Sequence, residues 1–244
     1  MAPTYLGREP GIESSDDRRG SALLLSRFFL DAVQQRTRCA APRDTVSVME
    51  KSDAALQIKA ELRRAGQARR DALPAEMRKA AAEAIAARAF PLAVASGAIV
   101  SGFMPLKSEI NPLPLMRKLA DAGARLALPA VAGRGKPLIM RSWQWGEPLV
   151  PGVWGMREPG PAAATVEPDI VLVPLLAFDR RGHRIGYGAG YYDLTIAQLR
   201  ASKQIAAIGI AFAAQEVETV PTTAFDAQLD LVLTENETID LRNP

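Results

Sequence analysis

Asp169-Ile170-Val171-Leu172-Val173-Pro174, followed shortly by Arg184-Ile185-Gly186-Tyr187-Gly188-Ala189-Gly190-Tyr191-Tyr192-Asp193, is the stretch from which the fold is read. The first segment is apolar at every position between its Asp and its Pro. A strand with one wet face alternates, whereas a strand covered on both faces runs continuously apolar, as parallel strands between helices do. Further short apolar runs fall at Ala98–Phe103, Arg125–Val131, Ile205–Phe212 and Leu229–Thr234, the last expected to close the sheet, and Leu138–Trp143 alternates. Between them lie helical stretches: Asp53, a candidate cap, to about Ala72, ending before Leu73-Pro74; Ala75–Arg88; Pro112–Ala122, stopped by Gly123; and Asp193–Ala201. Strand alternating with helix predicts an α/β fold: a single three-layer domain with an open, mostly parallel central sheet flanked by helices.

Composition bounds the chemistry. The chain has 244 residues, 48% hydrophobic and 23% charged, with a net charge of +3, which suits a globular protein handling anionic small molecules. That excess is too mild to announce nucleic-acid binding. Cys39 is the single cysteine and His183 the single histidine, so a Cys-based zinc site or a disulfide framework within one chain is excluded. A bound metal would take hard oxygen ligands, which points to Mg2+. The absence of an apolar run of membrane-spanning length, together with the cysteine usage, predicts a soluble cytoplasmic protein with no membrane partner. Residues 1–48 read as a disordered extension or as translation from an upstream start codon, and residues 49–244 as the α/β domain.

The glycine-rich segment carries the most information about function. Glycines at alternate positions remove side chains where a backbone must approach a ligand closely. Successive backbone N–H groups, strengthened by the start of the following helix, then form a concave anion site. No Gly-Lys-Ser/Thr follows, so this is not a P-loop, and the glycine spacing differs from the dinucleotide fingerprint. Alone, the alternation is equally compatible with a tight turn; the leading Phe178-Asp179-x-x-Gly182-x-Arg184 and the trailing Tyr191-Tyr192-Asp193 make it specific. Upstream, Lys59, Arg63 and Arg70 fall within about 40° of one another on the first helix, at roughly 100° per residue. A charge stripe of that kind ordinarily faces solvent.

The stretch from Val173 to Asp193 resembles the signature of the 5-formyltetrahydrofolate cyclo-ligase family, and the likeness extends over about Ile58 to Glu235. The resemblance implies a CoA-transferase-like α/β architecture. It implies ATP-dependent, Mg2+-dependent closure of 5-formyltetrahydrofolate to 5,10-methenyltetrahydrofolate, with ADP and phosphate released, by a monomer with small-molecule partners only. In family terms Lys59 and Arg63 contact ATP phosphates, with Arg70 a weaker candidate. Arg184 and the loop Gly186, Tyr187, Gly188, Ala189, Gly190, Tyr191 and Tyr192 complete the ATP site, with Lys59 and Arg184 as the catalytic cations. Glu109 and Met104, in the strip after the first strand, would contact the pterin ring together with Tyr191. Trp143 is a candidate wall for that ring, with ordinary core packing as the other reading. Asp193 and Asp226 are the implied Mg2+ ligands, although Asp193 could equally serve as a helix cap. Two positions depart from the family pattern: Ala189, where many members have Lys, and Phe225, where a His is expected. They leave open a catalytically impaired paralogue that binds folate or nucleotide. An unrelated sugar-phosphate or acyl-transfer enzyme on a similar architecture is the remaining alternative.

Overall fold

The computed structural model describes residues 43–242, with side-chain surroundings from Ala54 onward. Most of the expected N-terminal extension, and Cys39 with it, therefore lies outside the described residues. Chain contacts divide the protein into two units, Met1–Glu50 and Lys51–Pro244. Of the first unit, the described residues 43–50 are helical.

Seven strands form one sheet in the order β11-β10-β9-β6-β1-β2-β3. Their ranges are β1 Ile99–Ser101, β2 Arg125–Ala130, β3 Ile139–Trp143, β6 Ile170–Pro174, β9 Ala206–Ile210, β10 Leu231–Leu233 and β11 Thr238–Asp240. The pairs β1–β2, β1–β6, β6–β9 and β9–β10 are parallel, while the two outer pairs, β2–β3 and β10–β11, are antiparallel. The α/β expectation holds, with one correction. Leu229–Thr234 does not close the sheet, because β11 pairs outside it through only three residues, too few to show a period.

Helices cover both faces. On one side α2 (Ala75–Ala87) and α3 (Leu113–Asp121) pack Ile85, Leu115 and Leu119 against Val100, Leu128 and Leu172. On the other, α4 (Tyr191–Ser202) sets Ile196 and Leu199 against Val171, Val173 and Ala207. Alternate residues of β6 thus feed opposite cores, which is why that strand is apolar throughout. Two small hairpins complete the chain: β4 (Leu149–Pro151) with β5 (Arg157–Pro159), and β7 (Ala177–Phe178) with β8 (Arg184–Ile185). No described helix is long and apolar enough to cross a membrane.

The first helix, α1, spans Arg43–Asp71. It therefore starts before Asp53, which lies inside it rather than capping it. Its face is the reverse of an ordinary amphipathic helix. Leu56 and Ile58 point outward at 58% and 47% exposure, whereas Lys59, at 8%, and Arg70, at 1%, are buried. Gly66, on that same inward face, lets the helix approach closely: a Cβ there would stand 2.2 Å from the Leu176 carbonyl oxygen. Charge turned inward on a close-packed helix costs free energy unless partners meet it, so the partners define the site.

Candidate functional site

The sheet order places this site. From β1 the chain runs to one side through β2 and β3, then returns to the other side of β1 with β6 and continues to β9 and β10. The switch point lies between β1 and β6, and open α/β sheets bind ligands beyond the carboxyl ends of strands at such points. Two segments leave there: Gly102–Ile110 after β1, and the β7–β8 hairpin with the glycine loop after β6. Helix α1 lies on both.

Asp179 builds the hairpin. It has no exposed surface, and its carboxylate accepts hydrogen bonds from the backbone N–H groups of Arg181, His183 and Val220, each at 3.0 Å. The Arg181 guanidinium donates to it at 2.7 Å. Burial alone would raise its pKa, but these donors hold it below the ordinary carboxylate value. The Asp of the Phe178-Asp179 motif is thus the hub that folds the turn and anchors Val220. His183 packs beside it, with Nδ1 3.4 Å from Asp179 Oδ1.

Beyond β8 the chain enters the glycine loop. Gly188 and Gly190 adopt φ of +101° and +71°, conformations that side chains resist. Arg63 reaches this loop from α1: its Nε donates to the Gly186 carbonyl at 3.1 Å. A Cβ on Gly188 would stand 3.4 Å from the Arg63 guanidinium. A cation from α1 is therefore laid along the loop in which Ala189 supplies none.

Gly190 precedes α4, whose first residue is Tyr191, so Asp193 is not the N-cap. Its carboxylate instead accepts from Arg184 at 2.7 Å and from the Ala227 N–H at 3.1 Å. Arg184 also donates to the Ala227 carbonyl. Burial pulls the Arg184 pKa down, opposed by the negative charges of Asp193 and Asp226. The guanidinium is therefore paired with one expected metal ligand, Asp193, and feels the charge of the other, Asp226. Asp226 accepts from Lys59 Nζ at 2.6 Å and from the Thr223 N–H at 2.6 Å. Burial would raise its pKa, but these donors hold it low. Lys59 is thus paired with Asp226 and Arg184 with Asp193, the two pairs meeting at Asp226-Ala227, while Arg63 holds the loop at Gly186.

A second cluster occupies the far end of α1. Glu109 is 9% exposed, and its Oε2 accepts from the Leu106 N–H at 2.8 Å. Burial raises its pKa above the ordinary value, while the Leu106 N–H, the Tyr187 hydroxyl and the Arg70 charge act in the opposite direction. Arg70 donates to Ser108 Oγ at 3.1 Å and to the Tyr187 hydroxyl at 2.7 Å. Met104 is half-buried against the core beside this strip. Tyr192 lies beneath, its hydroxyl pKa raised by burial and by the charge of Glu109.

The tryptophans divide. Trp143 is 7% exposed within the core, its indole N–H donating to the Glu147 carbonyl at 3.1 Å. Trp154, 67% exposed, is the one that meets the glycine segment, its ring 5.8 Å from that of Tyr191. Sequence reasoning placed Asp179 in the signature without giving it a role, and gave Trp154 none. The Gly152-Val153-Trp154-Gly155 context could have signalled the tryptophan, since Trp154 sits at φ +57° between two glycines.

Among the described residues no group of three or more His, Cys, Asp or Glu could hold a metal ion. Two carboxylates near a glycine-rich loop would nevertheless suit Mg2+, which commonly takes one or two protein carboxylates and completes its shell with phosphate oxygens and water. Asp193 and Asp226 fit that pattern.

A sheet switch point that gathers a glycine-rich loop, inward-facing cations and two aspartates beside a second, buried polar cluster marks the candidate site of this α/β protein. Residues 55–235 match the model of the 5-formyltetrahydrofolate cyclo-ligase family. The chain is 35% identical over 186 residues to the 5-formyltetrahydrofolate cyclo-ligase of Mycolicibacterium smegmatis, covering 72% of this chain and 93% of that protein. It is 32% identical over 143 residues to the enzyme of that name from Escherichia coli, covering 55% of this chain and 76% of the relative. The solved 5,10-methenyltetrahydrofolate synthetase of Aquifex aeolicus superposes with a TM-score of 0.63 at 28% identity, over 77% of this chain and 94% of the other. The protein belongs to the 5-formyltetrahydrofolate cyclo-ligase family.

Proposed function

We propose that the protein closes 5-formyltetrahydrofolate to 5,10-methenyltetrahydrofolate, converting ATP to ADP and phosphate. The observation that carries this reading, beside the family membership, is one helix bringing cations to the glycine loop at one end and a buried arginine to the Glu109 strip at the other. Two substrates would be held side by side by α1.

In this reading the formyl oxygen attacks the γ-phosphoryl group and ADP departs. The neighbouring folate nitrogen then attacks the activated carbon, and phosphate leaves as the ring closes. No enzyme nucleophile is needed, so the chain's contribution is positioning and charge neutralisation. Lys59 and Arg63 would face the phosphates, and the N–H groups of residues 186–190 would cradle them. Arg184 would hold the two aspartates in place and offset their charge. Mg2+ held by Asp193 and Asp226 would neutralise charge on the transferring phosphoryl group. The carboxylate of Glu109 would accept hydrogen bonds from the amino-pyrimidinone edge of the pterin, with Met104 and Tyr191 packing on the ring and Trp154 behind Tyr191. Trp143 would contribute through the core it shares with Met104.

Lys59 and Asp226 form a 2.6 Å ion pair. Binding of ATP with Mg2+ would exchange that pair for Lys59–phosphate and Asp226–metal contacts. Phosphate release measured with and without 5-formyltetrahydrofolate tests the reading. Release that depends on the folate, at one phosphate per folate consumed, is expected; folate-independent ATP hydrolysis would overturn it.

A further inference from the structure

We propose that Arg70 is a positioning residue for the folate site, holding Glu109 and the loop residue Tyr187 in one fixed arrangement from the last turn of α1. The inference rests on the reading of Glu109 as the pterin-binding carboxylate. Arg70 is 1% exposed, the most deeply buried charged side chain of the inward stripe. Its Nε and one terminal nitrogen are committed to Ser108 Oγ and the Tyr187 hydroxyl. Ser108 is in turn fixed by Asp71, the last residue of α1. The other terminal nitrogen, Nη1, is buried with no hydrogen-bond partner among the described residues and lies 3.9 Å from Glu109 Oε1. A buried guanidinium donor is costly to leave unmet, and a short side-chain movement would bring it to that carboxylate. Arg70 thus ties the strip after β1 to the glycine loop after β6, the two segments that diverge at the switch point.

Three groups from three elements face Glu109: Arg70 from α1, Tyr187 from the glycine loop and Tyr192 from α4. Of these only Arg70 carries positive charge; with the Leu106 N–H and the Tyr187 hydroxyl it favours the ionised carboxylate against burial, and it also holds that hydroxyl in place. Without it the Glu109 carboxyl protonates at higher pH. A purely structural arginine would instead support the fold without bearing on how Glu109 titrates or on one substrate more than the other.

The experiment compares wild type, Arg70→Lys, Ser108→Ala and Glu109→Gln by steady-state kinetics in both substrates, and by equilibrium dialysis of 5-formyltetrahydrofolate without ATP. Lysine cannot reach three partners in a fork. Arg70→Lys is expected to raise the KM and the dialysis Kd for the folate about tenfold or more, on the scale of a lost charged hydrogen bond, while the KM for ATP moves far less. The acid limb of kcat/KM for the folate should move to higher pH. In the Glu109→Gln background Arg70→Lys should add little to the folate KM. Ser108→Ala, which removes one acceptor and leaves Arg70 in place, should raise the folate KM by a smaller factor. Equal changes in both KM values with an unmoved acid limb, additivity with Glu109→Gln, or an unchanged folate Kd in both Arg70→Lys and Ser108→Ala would overturn the inference. Should Arg70→Lys not fold, the Ser108→Ala kinetics decide. Wild-type protein that neither binds nor converts the folate would instead remove the reading on which the inference rests.

Discussion

Asp179→Asn is the substitution whose effect can be worked most fully from the geometry. The side chain is isosteric and remains buried, so packing hardly changes. Oδ1 serves the N–H groups of Arg181 and His183, and Oδ2 serves Val220 and the Arg181 guanidinium. An amide supplies one acceptor oxygen and, in place of the other, two N–H groups pointing at donors. In either orientation at least one buried backbone N–H loses its acceptor. With the charged contact to Arg181 also weakened, the loss should total about 3 kcal/mol, one unsatisfied buried group plus part of a charge-assisted bond. For a domain of this size about 2–4 °C accompanies each kcal/mol, so a fall in Tm of about 6–12 °C is expected. The pH dependence provides a second check. The folded pKa of Asp179 is depressed, so its contribution is complete above the unfolded carboxyl value of about 3.9 and is lost as pH falls through the lower folded value. Thermal melts should therefore show a wild-type-to-variant gap that is constant from neutral pH to mildly acidic pH and narrows in strong acid. A variant melting with the wild type at pH 7, or a gap that stays constant in strong acid, would refute the assignment of Asp179 as the hub of the hairpin.

Two further substitutions probe the site itself. Gly66→Ala places a Cβ 2.2 Å from the Leu176 carbonyl oxygen, so α1 must move outward; a loss of about 1–3 kcal/mol is expected in chemical denaturation, as for overpacked cores, together with a raised KM for ATP as Lys59 and Arg63 withdraw. Asp193→Asn removes a carboxylate that accepts from Arg184 and from the Ala227 N–H; turnover should fall to background while far-ultraviolet circular dichroism stays that of the wild type, and near-normal turnover would show that Asp193 does not hold the metal.

The layers of the fold were legible because β6 is apolar throughout and the helices around it are long enough to show a period. The hairpins were not. β4–β5 and β7–β8 have strands of only two or three residues, held by turns and by Asp179 rather than by any alternation. The period of the basic stripe was legible in the residues themselves, its inward surface only through the resemblance that carries Lys59 and Arg63 into the site. Composition favours a solvated face, and only tertiary partners such as Asp226, the Gly186 carbonyl and Tyr187 make an inward one affordable. Asp193 was ambiguous between cap and ligand because a helix start is uncertain by a residue or two; the start at Tyr191 removes the cap. Which tryptophan reaches the loop depends on how a short hairpin folds back, which no local pattern encodes.

The central claim is that this chain makes a methenyl-folate with ATP. Its most direct test follows the near-ultraviolet absorbance of the conjugated product in reactions containing protein, 5-formyltetrahydrofolate, ATP and Mg2+, and in reactions omitting each in turn. A rise that needs all four components is expected. A flat trace in the complete reaction, from protein that still binds ATP, would contradict it and turn attention to Ala189 and Phe225, where the chain departs from its family.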